Sequence, residues 1–237
     1  MIIRFILVGI EGPVNLGMIA RTCKNFRIDE LFIVKPKASI DEALRYSAKA
    51  KDYLLRSRVV NDLDEALKEA DLVIATTAKG YSVGDVLRQA IDINAFTDLL
   101  KNTSGRVAIM FGRESTGLTR EELDKADFLV TIPANPEYPV LNISQAVAIF
   151  AWEIWKIRGL SAKNVPPRAD KEELDHLLSV ICEISSKVLS TSDKVERLSR
   201  VWRNIIYKSY PSKYEAKLLT YWAKRVLNKL ERISGDK

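Results

Sequence analysis

Two apolar runs restrict the fold of this chain more than any other feature. Val107 to Phe111 stops at Gly112, and Phe128 to Ile132 stops at Pro133. Short apolar runs bounded by turn formers predict strands buried on both faces, as in parallel sheets. The turn after the first carries Arg113, Glu114 and Gly117. The chain after the second passes Asn135, Pro136 and Pro139 into Leu141, Asn142, Ile143 and Ser144. Open α/β sheets bind ligands at the carboxyl ends of their strands, so these two loops are the first candidates for a site. Two ordinary strand-to-helix connections would read the same way from this stretch alone.

The strand, loop, helix order recurs upstream. Ile2 to Val8 predicts a strand closed by Gly9, Gly12 and Pro13. Residues 15–26 have helical spacing at Leu16, Ile19, Ala20 and Cys23, with Asn15 the expected N-cap and Arg21 nearly two turns in. Both polar side chains are expected at the mouth of the sheet. Leu31 to Val34 is a strand, 41–50 a helix, Arg58 to Val60 a short strand, and Leu63 to Ala70 a helix capped by Asn61 or Asp62. Leu72 to Ala75 then runs into Thr76, Thr77, Ala78, Lys79 and Gly80, a small-residue loop that lets a ligand approach the backbone. Residues 81–104 are less legible, apart from a short helix over 92–100. Thr119 and Glu122 form a capping box for a helix to Ala126, and a long helix runs from Asn142 or Ser144 through Trp155. The expected fold is an α/β domain over residues 1–158, its sheet mostly parallel and covered on both faces.

Residues 159–170, GLSAKNVPPRAD, predict a linker. Helices over 171–189, 193–209 and 213–232 then form a small helical extension spanning 171–237. That extension holds 14 Lys and Arg against 9 Asp and Glu, so most of the chain's formal +6 charge lies there. Lys194, Arg197, Arg200 and Arg203 recur every three residues and form a basic stripe, opposite an apolar side of Val195, Leu198, Val201, Trp202 and Ile205. Farther on, Lys213, Lys217, Lys224, Arg225 and Lys229 interleave with Tyr214, Tyr221 and Trp222. Cations on phosphates and rings on unpaired bases would suit RNA. Equally, the rings could form the extension's core and the charges only solvate it.

Several chemistries are disfavoured. The two cysteines, Cys23 and Cys182, are too few and too far apart for a disulfide framework or structural zinc site, and the single His176 leaves little scope for histidine catalysis. No metal is expected. No GxGxxG follows the first strand, and no GxxxxGK[ST] loop is present. No apolar stretch reaches the length of a membrane span, and MIIRFILVGIEG turns polar too soon for a signal peptide, so a cytoplasmic protein without membrane contact is expected.

What remains is a set of three loop signatures: residues 15–21, NLGMIAR; residues 111–118, FGRESTGL; and residues 132–144, IPANPEYPVLNIS. In this order and spacing they resemble the three motifs of the SpoU/TrmH family of SPOUT methyltransferases, which act on RNA. The string IPANPEY together with the helical extension is most similar to the TrmJ branch of that family.

The resemblance implies a SPOUT-type trefoil-knotted domain with S-adenosylmethionine bound against the knot, and a homodimer in which the partner completes each site. It implies a cofactor pocket lined by Thr76, Thr77, Ala78, Gly112, Ile132, Val140 and Leu141, mostly through backbone groups. It gives Arg21 the catalytic position and contact with RNA, with Asn15, Glu114, Asn142 and Ser144 around it. Many family members carry Ser at the position of Val140, so any role there falls to the backbone. The implied reaction is methylation of a ribose 2′-hydroxyl in tRNA, at nucleotide 32 of the anticodon loop. A ribosomal RNA 2′-O-methyltransferase of the same family is the nearest alternative, and a non-catalytic RNA-binding or assembly factor is the alternative of another class.

Overall fold

The protein, seen in a computed structural model that describes residues 1–80, 83–85, 89–160 and 164–235, forms two compact units, Met1–Leu160 and Ser161–Lys237. Residues 161–163 of the expected linker and the last two residues of the expected extension lie outside the described residues.

The first unit runs β1 (Ile2–Val8), α1 (Pro13–Asn25), β2 (Glu30–Val34), α2 (Ile40–Tyr46), α3 (Lys51–Leu55), β3 (Arg58–Val60), α4 (Leu63–Leu67), β4 (Leu72–Thr76), β5 (Ile91–Asp92), α5 (Ile93–Lys101), β6 (Arg106–Phe111), α6 (Arg120–Leu123), β7 (Phe128–Thr131) and α7 (Ile143–Ile157). The seven strands make one sheet in the order β3-β2-β1-β6-β4-β7-β5, and every pairing is parallel. Alternation along β1 explains its burial: Phe5 and Leu7 enter one apolar cluster, Ile6 and Val8 the other. Side chains two residues apart share a face, so the apolar run Phe5–Val8 must be covered on both sides, and the one polar side chain within β1, Arg4, is buried against Glu30 at 2.6 Å.

Register brings the strand ends together. Leu7 pairs with Phe111, Ala75 with Met110 and Thr76 with Val130, so β1, β4, β6 and β7 finish at one edge. Beneath that edge Phe111 meets Phe150 of α7 edge-on at 5.5 Å, and Phe150 in turn meets Phe96 of α5 at 5.2 Å. Phe150 is only 1% exposed. Phe150→Ala is expected to cost about 3–5 kcal/mol in denaturant unfolding, because the cavity it leaves lies among rigid neighbours.

Several elements are shorter than their sequence patterns suggest. α4 ends at Leu67 and α6 at Leu123, although the capping box of Thr119 and Glu122 forms as expected. Asn15 is not the cap of α1: Pro13 starts the helix with Gly12 as N-cap, and Asn15 lies inside the first turn. Proline lacks an N–H and has its φ already helical, so it suits a first turn where the N–H has no partner.

The second unit holds α8 (Lys171–Val188), α9 (Ser192–Ser209) and α10 (Lys213–Gly235). A capping box of Asp170 and Glu173 opens α8. The core is small, with Leu174, Leu177, Leu178, Ile206 and Ala216 in one cluster and Val180, Ala223 and Leu227 in another. Only part of the expected apolar side of α9 is covered: Val195 and Leu198 are half-buried, Val201, Trp202 and Ile205 are exposed, and Ile206 is the residue that enters the core. Nor do the rings of α10 form the core. Tyr214 is 75%, Tyr221 62% and Trp222 57% exposed.

Candidate active site

The loops after β4, β6 and β7 enclose a cavity of about 620 Å³, lined by residues 76–79, 111–118 and 138–143 together with Val130, Ile132 and three residues of the flanking helices. That volume falls within the roughly 300–1,000 Å³ of small-molecule sites. Thr76, Thr77, Ala78, Gly112, Ile132, Val140 and Leu141 all line it. Thr76 turns its hydroxyl away to donate to the Met110 carbonyl at 2.9 Å, so it offers the cavity little polarity.

A chain of hydrogen bonds crosses the rim. The Ser144 hydroxyl donates to Asn142 Oδ1 at 2.7 Å, Asn142 Nδ2 to Asn15 Oδ1 at 3.1 Å, and Asn15 Nδ2 to Glu114 Oε1 at 2.9 Å. Every donor points toward the one carboxylate. Glu114 also accepts from the backbone N–H of Gly12 at 3.0 Å and of Glu11 at 2.9 Å, and so sits at the positive end of α1. Such a directional chain polarises its members and fixes both amides, tying the first turn of α1, the loop after β6 and the start of α7 together. Asn142 also caps α7 by accepting from the Ser144 N–H at 2.8 Å.

Two ion pairs hold the loop that carries Glu114. Arg113 makes a two-pronged contact with Glu122, both distances 2.9 Å, while its backbone bridges Gly117. Glu122 feels burial pushing its carboxyl up, but Arg113 and the Thr119 cap outweigh this and leave it below its ordinary value. Gly117 has φ +72°, a conformation that favours glycine, and a Cβ on Gly112 would fall on the backbone of Gly117 and Leu118. Glu11 returns the contact made by Glu114: it accepts from the Ser115 N–H at 3.1 Å and pairs with Lys37 at 2.9 Å.

The Lys37 ammonium, then the Ser115 contact, lower the Glu11 carboxyl from about 4.5 to about 2. A carboxylate lowered by folding stabilises the fold above its unfolded value and loses that effect as acid protonates it. The stability difference between the protein and Glu11→Gln is therefore expected to be constant above pH 4.5 and to shrink between there and about pH 2. Unfolding midpoints measured across that range would show it; a difference that persisted at the acid end would remove the linkage.

Arg21 stands apart. It is exposed on α1, outside the cavity lining, and has no ion-pair or hydrogen-bond partner among the described residues. Six residues at about 100° each place it about 120° around the helix from Asn15, so the two side chains leave α1 in different directions. Asn15 and Ser144 also lie just outside the lining and act on it through Glu114 and Asn142. Leu118 and Tyr138, which the motif strings contain but give no role, line the cavity, as do Ala146 and Phe150 of α7. Tyr138, 79% exposed, had a visible signal as the one ring between Pro136 and Pro139. Among the described residues no group of three or more His, Cys, Asp or Glu could hold a metal ion, and no helix is long and apolar enough to cross a membrane.

In the second unit the basic stripe of α9 is partly neutralised. Arg197 pairs with Asp193 at 3.8 Å, Arg200 with Glu196 at 2.6 Å and Arg203 with Asp175 at 3.6 Å, whereas Lys194 has no such partner among the described residues.

The chain is 38% identical to the tRNA (cytidine-2′-O-)-methyltransferase TrmJ of Sulfolobus acidocaldarius, over 97% of this chain and 94% of that protein. It is 33% identical to the enzyme of the same name from Methanocaldococcus jannaschii, over 90% and 95%. Among solved structures, that of TrmJ from Z. mobilis ZM4 superposes with a TM-score of 0.63 at 27% identity, covering 98% of this chain and all of that one. Residues 2–152, nearly the whole α/β unit, match the SpoU rRNA Methylase family, and the chain belongs to that family of methyltransferases.

Proposed function

We propose that the chain transfers a methyl group from S-adenosylmethionine to a ribose 2′-hydroxyl of tRNA, at nucleotide 32 of the anticodon loop, and that it works as a cytoplasmic homodimer. The observation that carries this reading is the similarity to a named tRNA 2′-O-methyltransferase along nearly the full chain, helical extension included.

The cavity suits the donor. Its walls set small residues, Thr76, Thr77, Ala78 and Gly112, beside apolar ones, Ile132, Val140 and Leu141, and the space over Gly112 is too tight for even a methyl side chain. Bound there, S-adenosylmethionine supplies an electrophilic methyl group on a sulfonium sulfur. Thr76, Thr77, Ala78, Gly112, Ile132, Val140 and Leu141 would hold it through backbone contacts and shape. A trefoil knot belongs to this reading. It is supported by α7, which follows β7 near one end of the sheet yet packs on both α1 and α5.

Transfer needs an aligned hydroxyl and a destination for its proton and growing negative charge. Glu114, Asn15, Asn142 and Ser144 form the rigid rim that would fix the ribose. Arg21, an obligate cation, would stabilise the developing alkoxide and orient a phosphate. Because Arg21 lies outside its own chain's cavity, it would serve the site of a second copy. Val14, Met18 and Arg21 share one exposed face of α1, and Trp152 of α7 is exposed too, an apolar surface suited to that partner. The helical unit would add affinity for RNA, with Lys194, Arg197, Arg200 and Arg203 as phosphate contacts.

Ribosomal RNA is the second reading, favoured by the description of the family. Incubation with labelled S-adenosylmethionine and either unmodified tRNA or ribosomal RNA separates the two. Label in tRNA is expected; label in ribosomal RNA alone would overturn the substrate, and failure to bind the donor would overturn the reaction.

A further inference from the structure

The three exposed rings of α10 lie in an unusual setting. The buried strip of this helix is narrow, made of Ala216, Ala223 and Leu227, two of them small. At about 100° per residue, Tyr214, Leu218, Tyr221 and Trp222 lie on the opposite side. Lys217, Lys224, Arg225, Lys229 and Arg232 fall within the same arc of about 160°, and no carboxylate does. None of these five cations has an acidic partner among the described residues, unlike the arginines of α9. The two acids of α10 are both engaged elsewhere, Glu215 with Ser212 and Glu231 with Lys187.

We propose that this face of α10 is a stacking surface for unpaired RNA bases, the rings holding bases and the surrounding cations holding phosphates. It rests on the RNA-methylating reading and deepens it, adding a base-contacting surface on α10 to the phosphate contacts of α9. An apolar surface alone would suit another protein chain. Rings interleaved with unpaired cations suit a polyanion that carries flat bases, because each base offers a face to stack and each link a charge. The α9 arginines can still meet phosphate, since exposed ion pairs exchange readily, but each must first release a carboxylate.

The test uses the full chain with a single-stranded polyuridylate and an RNA duplex of equal length. The Tyr214→Ala, Tyr221→Ala, Trp222→Ala triple variant is expected to lose on the order of tenfold or more in affinity for the single strand. Its slope of affinity against salt should be unchanged, as should its duplex binding, because no cation is removed. Arg225→Gln with Lys229→Gln should instead flatten the salt slope by one to two units, roughly 0.7–0.9 per contact, on both probes. All these positions are exposed, so folding should survive, as circular dichroism would show. Unchanged single-strand binding, or equal losses on strand and duplex, would overturn the proposal. So would a change of oligomeric state in the ring variant, which would assign the rings to a second copy. The probe needs no methyl donor. A protein that binds polyuridylate through these rings yet methylates nothing would therefore sink the proposed reaction and leave this surface standing.

Discussion

Gly112→Ala is expected to lower affinity for S-adenosylmethionine by about a hundredfold or more, equivalent to about 2.7 kcal/mol. The added Cβ would overlap the backbone of Gly117 and Leu118, which cannot swing aside as a flexible side chain would. Two backbone hydrogen bonds join Arg113 to Gly117, at 3.2 and 2.9 Å, so relief requires opening the whole turn. Opening it displaces residues 112–118, one of the three walls of the cavity. The core beneath is untouched, and the overpacking cost to stability should stay within about 1–3 kcal/mol. Calorimetric titration with the donor measures the effect. Affinity equal to that of the unaltered protein would place the donor somewhere other than this cavity.

Arg21→Ala is expected to reduce methyl transfer by roughly 10²–10³-fold, the usual cost of removing a donor aimed at developing negative charge. Donor affinity should not change, because Arg21 is no part of the cavity wall. The same geometry yields a sharper test. If Arg21 serves the partner's site, a mixed dimer of one Arg21→Ala and one Gly112→Ala chain has one intact site, with the cavity from the first chain and the arginine from the second. Mixing two inactive variants should then recover activity. If Arg21 acts within its own chain, neither site of the mixed dimer is whole and no activity returns.

How far these features could be read from sequence depended on the range of the interaction. β6 was legible because a parallel strand buried on both faces writes itself as an unbroken apolar run from Val107 to Phe111, and β1 and β7 because most of their positions are apolar and each stops at a turn former. The capping box of Thr119 and Glu122 was legible because its partners are three residues apart, whereas the cap that Asp92 makes on α5 was not singled out. Asn15 was misjudged for the opposite reason. Its partner Glu114 is 99 residues distant, and helix start signals at Pro13 and Asn15 overlap. α3 and the early ends of α4 and α6 were not visible, since a helix of four or five residues carries too little periodicity to declare itself. On α10 the mix of rings and cations was visible, but whether the rings faced in or out was not. Spacing alone could not say that two alanines and one leucine would supply the buried strip.

For the site, the motif resemblance chose residues that the fold does gather: the seven expected to hold the donor line one cavity, and four polar residues meet in one hydrogen-bonded chain. What it did not convey was that Arg21 lies off the cavity, a consequence of helical phase.

The most direct test of the proposed reaction is to locate the transferred methyl group. Unmodified tRNA is incubated with the protein and S-adenosylmethionine, then digested, and the modified nucleotide is sequenced by mass spectrometry. A methyl group on the ribose 2′-oxygen of nucleotide 32 is the expected result. A methyl group on a base, or on a ribose outside the anticodon loop, would contradict it.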